Sequence, residues 1–210
     1  MTDTRPTVVL LVRHADVHNP RQVFYGRLPG FRLSDLGLKQ ANFLAEHLAS
    51  EPIRVFYTSP LLRARQTAAV LARRHPGIAI HRVMDLQEVR TRWMGAPVDE
   101  VPIFGNLYEP PRDPGDETIA QLAERVSQTL LRIARKHPGQ VVCCVSHGDA
   151  ISSANSLFRG LPPELVSIRG DYSAQQCSVT RLTFTPSSEL PVLEYRDVMA
   201  ELAPELSVRR

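Results

Sequence analysis

The amino-acid sequence predicts an α/β protein, a three-layer α/β/α sandwich in which a largely parallel central sheet lies between two layers of helices. Two observations support this prediction. Short apolar segments typical of buried strands alternate with longer segments whose apolar residues recur every three or four positions. The chain has 210 residues, 43% of them hydrophobic, which suits a single domain over 1–210 with a peripheral tail at about 199–210.

The first strand is predicted over 7–13, because this continuous apolar run is typical of a strand buried on both faces. A loop rich in asparagine, proline and glycine follows it. Ser34 is a suitable N-cap for a helix over 35–49, where leucine and alanine recur with helical spacing. The apolar segment 53–57 predicts the second strand, so the chain opens with a strand–helix–strand unit.

The second helix is predicted to begin at Ser59-Pro60, because serine at the N-cap and proline at the first helical position favour a helix start. It continues to His75, where Pro76-Gly77 ends it. The alternating segment 78–83 predicts a strand. Residues 84–115 are rich in proline and show little periodicity, which is typical of a functional wall or lid in a compact domain.

Asp116 is a suitable N-cap for a third helix over 117–136, which has a regular apolar stripe. The apolar run 141–145 predicts another buried strand, and 150–158 predicts the helix that follows it. The remaining strands, which we expect to add an antiparallel edge to the sheet, are predicted over 178–185 and 192–198.

The composition argues against nucleic acid or a membrane as a partner. The 25 basic and 22 acidic residues give a net charge of +3; apart from Lys39 and Lys136 the basic residues are arginines, and they are scattered. No apolar run approaches the roughly 20 residues of a membrane span, and the N-terminal segment lacks the apolar core of a secretory signal. Three cysteines without metal-ligand spacing predict buried thiols in a cytoplasmic protein that holds no metal or cofactor.

Polar residues follow two of the predicted buried strands. Arg13 and His14 end the first strand, and His147 follows the strand that precedes the fourth helix. Because ligands bind beyond the carboxyl ends of strands in open α/β sheets, we expect the two histidines to meet. Arg63 lies in the first turn of the second predicted helix, and helix N-termini bind anions. The sequence therefore predicts an anion site at this edge of the sheet.

These residues lie in five blocks that resemble, in the same order, the histidine phosphatase superfamily in its phosphoglycerate-mutase-like branch. One position departs from the Arg-His-Gly signature of that family, since Ala15 replaces the glycine. The blocks cover the chain from about residue 8 to residue 158. They are Arg13-His14-Ala15, Tyr25-Gly26-Arg27 with Leu33 to Ala41, Ser59 to Ala68, Leu86-Gln87-Glu88, and Val145 to Gly148.

The resemblance implies a role for each residue of the site. His14 attacks phosphorus and carries the phosphoryl group as a phosphohistidine, and an acceptor such as a backbone carbonyl fixes its tautomer. Arg13, Arg63 and His147 surround the phosphoryl oxygens, helped by the backbone amides that begin the helices after His147 and Ser59. Glu88 is the general acid that protonates the leaving oxygen and then the base that activates water. These roles require no metal and no cofactor.

The resemblance also suggests residues around the phosphate and the leaving group. Asn19 stands one position earlier than the asparagine of the family, and it is the candidate for that residue's phosphate-binding role. Tyr25, Gly26 and Arg27 form one wall of the expected leaving-group pocket. The irregular segment 90–114 forms the other wall and offers Arg90, Arg92, Trp93, Tyr108 and Arg112.

Three functions stay open at this point. A metal-independent phosphomonoester hydrolase acting on a small phosphorylated metabolite is favoured, because the segment between Glu88 and His147 is short for a mutase of this family. Phosphoglycerate mutase-type phosphoryl transfer is the alternative enzyme. Non-catalytic binding of a phosphorylated ligand or of nucleic acid is the third, and the complete set of site residues argues against it. The sequence does not fix the oligomeric state, so a homodimer also stays open.

Overall fold

Six strands form one mixed sheet in a computed structural model of the chain, which describes residues 5–101, 108 and 113–207. From one edge to the other, the order is β3 (Ile80–Arg82), β2 (Ile53–Thr58), β4 (Val141–Ser146), β1 (Thr7–Arg13), β5 (Val179–Phe184) and β6 (Val192–Arg196). The strands β1 to β4 run parallel to one another, β5 runs antiparallel to β1, and β6 runs antiparallel to β5. This largely parallel sheet confirms the predicted fold class.

Helices cover both faces of the sheet and bury a separate apolar core on each. Successive side chains of a strand point to opposite faces, so Leu10 and Val12 of β1 lie in one core while Val9 and Leu11 lie in the other. All four side chains are buried, which explains the continuous apolar run of β1. The helices are α1 (Asp35–His47) and α2 (Leu62–Ala72) on the first core, and α3 (Ile119–Lys136) and α4 (Gly148–Phe158) on the second.

Capping side chains explain where α1 begins and why α2 begins later than predicted. The Ser34 hydroxyl accepts a hydrogen bond from the Gly37 amide at 2.9 Å, as expected of the N-cap of α1. The prediction that Ser59 caps α2 is wrong: the N-cap is Leu61, which makes no side-chain cap bond. Ser59 instead points its hydroxyl at His147. The hydroxyl also accepts from the Leu61 amide at 3.3 Å, but this local bond forms before α2 and not at its N-cap.

The start of α3 also differs from the prediction. Thr118, not Asp116, is the N-cap, and it forms a capping box in which Thr118 and Gln121 each accept the other's backbone amide. The Asp116 carboxylate accepts the Arg92 amide at 2.7 Å instead, and so joins the irregular segment to the start of α3. Two boundaries move as well, because α4 begins at Gly148 rather than at residue 150 and β3 is shorter than 78–83.

The segment predicted to be a peripheral tail contributes to the core. Residues Val198–Leu202 form a short helix, α5, in which Met199 is buried together with the neighbouring Ala203. The Gln40 amide of α1 donates to the Leu206 carbonyl at 2.7 Å. The segment 199–207 is therefore packed in part: Met199 and Ala203 are buried, while residues 201, 202, 204 and 205 are exposed. Across the described ranges, no helix is both long and apolar enough to cross a bilayer.

The register of the parallel strands places the site. Arg13 at the end of β1 is level with Ser146 of β4, and Thr58 of β2 is level with Val145. The residues that follow these strand ends therefore emerge side by side, as expected of a site beyond the carboxyl ends of strands.

Candidate active site

His14 lies at the centre of the strand ends as a neutral imidazole with a defined tautomer. Its Nδ1 lies 2.7 Å from the Ala15 carbonyl, and its Nε2 lies 3.1 Å from Nε of Arg63. A carbonyl can only accept and a guanidinium can only donate, so the ring proton is on Nδ1 and Nε2 presents its lone pair. The side chain is 2% exposed, which keeps that lone pair away from bulk water.

Arg63 is a buried cation held by neutral groups. It lies in the first turn of α2 and is fully buried, and burial lowers its pKa from the ordinary value. Its Nη2 donates to the Gly26 carbonyl at 2.7 Å, and its guanidinium lies 4.7 Å from the Tyr25 ring centre. Among the described residues its Nη1 has no hydrogen-bond partner. A buried cation of this kind is costly unless an anion binds beside it.

His147 faces His14 and is also neutral. The two rings lie 5.1 Å apart at 62°, and Nε2 of His147 lies 2.7 Å from the Ser59 hydroxyl. Burial lowers the pKa of His147 well below its usual range, and Arg63, His14 and Arg13 lower it further. The Ser59 hydroxyl accepts from the Leu61 amide at 3.3 Å, so its own proton is available for Nε2. That bond leaves the ring proton of His147 on Nδ1, which has no partner among the described residues.

Arg13 is the third cation of this cluster, and the small size of Gly148 makes room for it. Its Nη1 donates to the Ala174 carbonyl at 2.6 Å, while its buried Nε lacks a partner within the described ranges. A Cβ atom at Gly148 would lie 3.1 Å from the guanidinium carbon. A larger residue at the start of α4 would therefore displace Arg13.

Glu88 occupies the N-terminus of α4. Its Oε1 accepts from the Ala150 amide at 3.2 Å and from its neighbour Val89 at 2.9 Å, and its Oε2 makes a longer contact of 3.4 Å with the Asp149 amide. The sequence-based assignment of these α4 amides to phosphate is therefore wrong for Asp149 and Ala150. The carboxylate of Glu88 takes them because anions are stabilised at a helix N-terminus.

The pKa values of two neighbouring carboxyls are shifted apart. Burial raises the pKa of Glu88 and the Asp149 carboxylate raises it further, while the Val89 amide, Arg63 and Arg13 oppose the shift. Burial also acts to raise the pKa of Asp149, but the charge and hydrogen bonds of Arg169 lower it below its usual range. Two carboxyls with opposite shifts are typical of an acid–base site, and Glu88 is the one that takes up a proton more readily.

Asp149 and Arg169 were not identified from the sequence. Arg169 donates to both oxygens of Asp149, at 2.6 and 3.1 Å, and Tyr108 donates its hydroxyl to the same carboxylate. Asp149 carried a weak signal, since it follows His147-Gly148. Arg169 carried none, because nothing in its local sequence distinguishes it from the other scattered arginines.

The predicted surroundings of the leaving group are only partly as expected. Tyr25 and Gly26 contact Arg63, but Arg27 donates to the Glu88 carbonyl at 2.6 Å and to the Glu117 carboxylate at 2.6 Å. Arg27 therefore supports the backbone that carries Glu88 instead of facing a substrate. Asn19 exchanges both of its hydrogen bonds with the backbone of Val23, at 2.9 and 3.2 Å, and the structure does not bring it to the histidines.

The structure describes only part of the irregular segment 90–114, which was predicted to form the other wall of the leaving-group pocket. The Arg92 guanidinium lies 5.8 Å from the Trp93 ring centre, the Arg90 amide binds Glu117, and Tyr108 binds Asp149. Arg112 lies outside the described residues, as does the rest of 102–112 apart from Tyr108. Among the described residues, no group of three or more histidine, cysteine, aspartate or glutamate side chains has the arrangement of a metal site.

These contacts together form a site that suits a small anion. Three residues beside His14 each have one buried side-chain nitrogen with no partner among the described residues: Arg63 Nη1, Arg13 Nε and His147 Nδ1. Buried polar groups without partners are rare in folded proteins, and a catalytic role or a bound ion is one explanation for them. Close enough to interact electrostatically with Arg63 and Arg13 lies Glu88, a carboxyl whose pKa is raised. The arrangement can bind a phosphoryl group, attack it and supply a proton.

Comparison with known proteins gives matches over most of the chain. A sequence profile described as the histidine phosphatase superfamily, branch 1, matches residues 9–195. A Mycobacterium tuberculosis protein named as uncharacterised is 36% identical over 148 residues, which cover 67% of this chain and 73% of that protein. A protein of Arabidopsis thaliana named metal-independent phosphoserine phosphatase is 31% identical over 162 residues, which cover 71% of this chain and 67% of its own.

Solved structures share the fold. A phosphoserine phosphatase mutant from Entamoeba histolytica, in complex with phosphoserine, superposes with a TM-score of 0.76 at 21% sequence identity. The superposition covers 93% of this chain and 100% of that one. At this identity the likeness shows a common architecture.

Proposed function

The chain belongs to the histidine phosphatase superfamily, branch 1, and from this premise we propose that it is a metal-independent phosphomonoester hydrolase working through a phosphohistidine on His14. The observation that carries the proposal is the set of three buried nitrogens without partners among the described residues, on Arg63, Arg13 and His147, in side chains beside a neutral imidazole. A phosphoryl group brings about two negative charges and three acceptor oxygens, which match these donors.

The first step transfers the phosphoryl group to the enzyme. Nε2 of His14 attacks phosphorus, the bond from phosphorus to the ester oxygen breaks, and the departing oxygen takes the electron pair together with the proton of Glu88. Arg63 and Arg13 balance the charge on the phosphoryl oxygens, and His147 donates from Nδ1. The raised pKa of Glu88 supports its role as the acid.

The second step returns the enzyme to its starting state. Water attacks the phosphohistidine, Glu88 takes the proton of that water, and the electron pair of the nitrogen–phosphorus bond returns to Nε2 of His14. Phosphate is released and Glu88 is again protonated. The cations of the site supply the charge balance that a metal provides in other phosphatases, so the proposed reaction needs no cofactor.

Relatives support phosphatase activity and point to a small phosphorylated metabolite as the substrate. The similar protein of Arabidopsis thaliana is named for phosphoserine, and the similar structure from Entamoeba histolytica holds phosphoserine. A small phosphomonoester with a polar leaving group is therefore the substrate class that we propose for this chain. The proposal places the protein in the cytoplasm, where such metabolites occur.

The test is phosphate release from an aryl phosphate and from a panel of small alkyl phosphates, with the protein kept in a metal chelator. We expect turnover in the chelator, its loss in His14→Ala, and retention in His47→Ala, a histidine at the end of α1 on the other side of the fold. Activity that disappears in chelator and returns with a metal would overturn metal independence. Turnover of His14→Ala at the wild-type rate would overturn the phosphohistidine, and efficient interconversion of 3- and 2-phosphoglycerate would favour the mutase alternative.

A further inference from the structure

We infer that Glu117 and Arg125, together with Arg27, are positioning residues that hold Glu88 in place for proton transfer, an inference that rests on the acid–base role proposed for Glu88. We call these three residues the brace. None of them touches the phosphoryl site in the described structure. Each acts on the loop 85–90, which carries Glu88.

Arg125 on α3 binds the backbone of this loop. Its Nη1 donates to the carbonyls of Asp85 at 2.7 Å and Gln87 at 3.1 Å, and its Nη2 lies 3.4 Å from the carbonyl of Glu88. The loop contains only the single 3-10 turn Met84–Leu86, so its carbonyls depend on side chains for donors. One guanidinium thus fixes the direction of three carbonyls of this loop.

Glu117 orients the two arginines of the brace. Its carboxylate accepts from Nε of Arg125 at 2.7 Å and from Nη2 of Arg27 at 2.6 Å, and it also accepts the Arg90 amide at 2.8 Å. Burial tends to raise the pKa of Glu117, but the hydrogen bonds and charge of Arg125, with the Arg90 amide and Arg27, bring it below the usual range. The carboxylate therefore stays ionised, and the brace keeps its charges paired.

Glu88 is held from both ends as a result. Its carbonyl accepts from Nε of Arg27 at 2.6 Å, while its carboxylate reaches the Ala150 amide at 3.2 Å. A backbone shift of about 1 Å at the carbonyl end would move the carboxyl out of reach of the leaving oxygen, and such misplacement costs about 100-fold in rate. The brace fixes the position on which proton transfer depends.

The experiment compares good and poor leaving groups on one protein sample. A 2,4-dinitrophenolate leaves without a proton, whereas a simple alkoxide needs one, so the ratio of kcat/KM for an alkyl phosphate to that for 2,4-dinitrophenyl phosphate reports on the acid. This ratio does not depend on the fraction of folded enzyme. We expect it to fall about 10- to 100-fold in Arg125→Lys and in Glu117→Gln, with kcat/KM for the aryl ester nearly unchanged.

Arg132 supplies a matched control on the same helix. It contacts the same loop through the side chain of Asp85, at 2.9 Å, but it is 58% exposed, whereas Arg125 is 18% exposed. We expect Arg132→Lys to keep the wild-type ratio. A fall of the same size in Arg132→Lys would show that replacing any arginine of α3 that contacts this loop has the effect, and it would overturn the inference.

A double variant separates the inference from the proposed function. If the brace acts through Glu88, Glu88→Gln and Glu88→Gln/Glu117→Gln will show the same ratio. A further loss in the double variant would mean that Glu117 acts by another route. If Glu88→Gln leaves the ratio at the wild-type value, the proposed role of Glu88 fails. If Glu88→Gln lowers the ratio while Arg125→Lys and Glu117→Gln do not, the inference alone fails.

Discussion

The arginine beside His14 and the arginines of the brace differ in their hydrogen-bond partners. Beside His14, Arg63 has neutral hydrogen-bond partners, namely the Gly26 carbonyl and the imidazole. In the brace, Arg125 and Arg27 share the Glu117 carboxylate. A buried cation with neutral partners lowers stability but attracts an anion. A buried cation that is paired with a carboxylate instead holds the neighbouring groups of the protein in position. The hydrogen-bond partners of an arginine therefore distinguish one that binds an anion from one that positions other protein groups. The number of arginines does not.

The largest effects should come from Arg63→Met, which removes the arginine with neutral partners, and from Arg125→Met, which removes an arginine of the brace. Arg63→Met should lower kcat/KM for an aryl phosphate about 1000-fold, since one buried donor to the transition state is commonly worth 100- to 1000-fold and Arg63 also carries charge. Arg125→Met should leave the aryl ester reaction nearly intact but lower the free energy of unfolding by about 2 kcal/mol, because it leaves Glu117 with one partner fewer. Urea denaturation measures the second effect. A larger loss of unfolding free energy in Arg63→Met than in Arg125→Met would contradict this comparison.

Inorganic phosphate should stabilise the protein only where the unpaired cations are intact. At about 100 times the dissociation constant, a ligand that binds the native state alone adds about 2.7 kcal/mol to stability. Thermal denaturation with phosphate, against chloride at equal ionic strength, should show this gain in the wild type and in Arg125→Lys. Arg63→Met should show little of it. An equal gain in stability in Arg63→Met would show that phosphate binds at another site.

A smaller effect is expected from Ser59. Its hydroxyl fixes the ring proton of His147, so Ser59→Ala should leave a mixture of tautomers and lower kcat/KM by about 10-fold, the value of about one lost hydrogen bond to a catalytic group. Ser127 on α3 offers a matched control, since it is also buried and its hydroxyl lacks a partner among the described residues. Ser127→Ala should keep wild-type kinetics. Equal losses in both variants would point to packing instead of the tautomer.

The smallest expected effect is a shift of the pH profile without a large change in the maximal rate. The acid must be protonated, so kcat/KM for an alkyl phosphate falls as the pH rises through the pKa of Glu88. Asp149 is one cause of the raised pKa of Glu88, and Asp149→Asn removes that cause, so the alkaline limb should move to lower pH. The exposed Asp171, near Arg169, gives the control Asp171→Asn, with no shift expected. Movement of the limb to higher pH would contradict the assignment of the acid.

Local sequence was enough to predict the centre of the site. His14 and His147 follow buried strands of a parallel sheet, and the meeting of strand ends is a property of that architecture. Arg63 follows β2, the strand that comes after β1 in the sequence, so the same reasoning about strand ends predicted it. The burial of β1 on both faces, with Leu10 in one core and Leu11 in the other, also followed from its continuous apolar run.

Contacts between distant polar residues were not predictable from local sequence. The misassignment of Arg27 to the leaving-group wall arose because a long side chain can reach several partners, and only the fold shows that it reaches the Glu88 carbonyl. The pairing of Arg125 with that loop crosses a long stretch of chain in the same way. The local capping rule favours Ser59 and Asp116 as N-caps because it omits distant partners, namely His147 for the Ser59 hydroxyl and the Arg92 amide for the Asp116 carboxylate.

The central claim is that His14 carries the phosphoryl group, and its most direct test is to trap that group. Glu88→Gln should slow the attack of water, so that phosphohistidine accumulates when the variant is mixed with 2,4-dinitrophenyl phosphate and quenched at alkaline pH. Mass analysis of the peptides should then find an acid-labile phosphoryl group on His14, and none in Glu88→Gln/His14→Ala. A phosphoryl group on any other residue, or turnover of the ester with no trapped intermediate, would contradict the account.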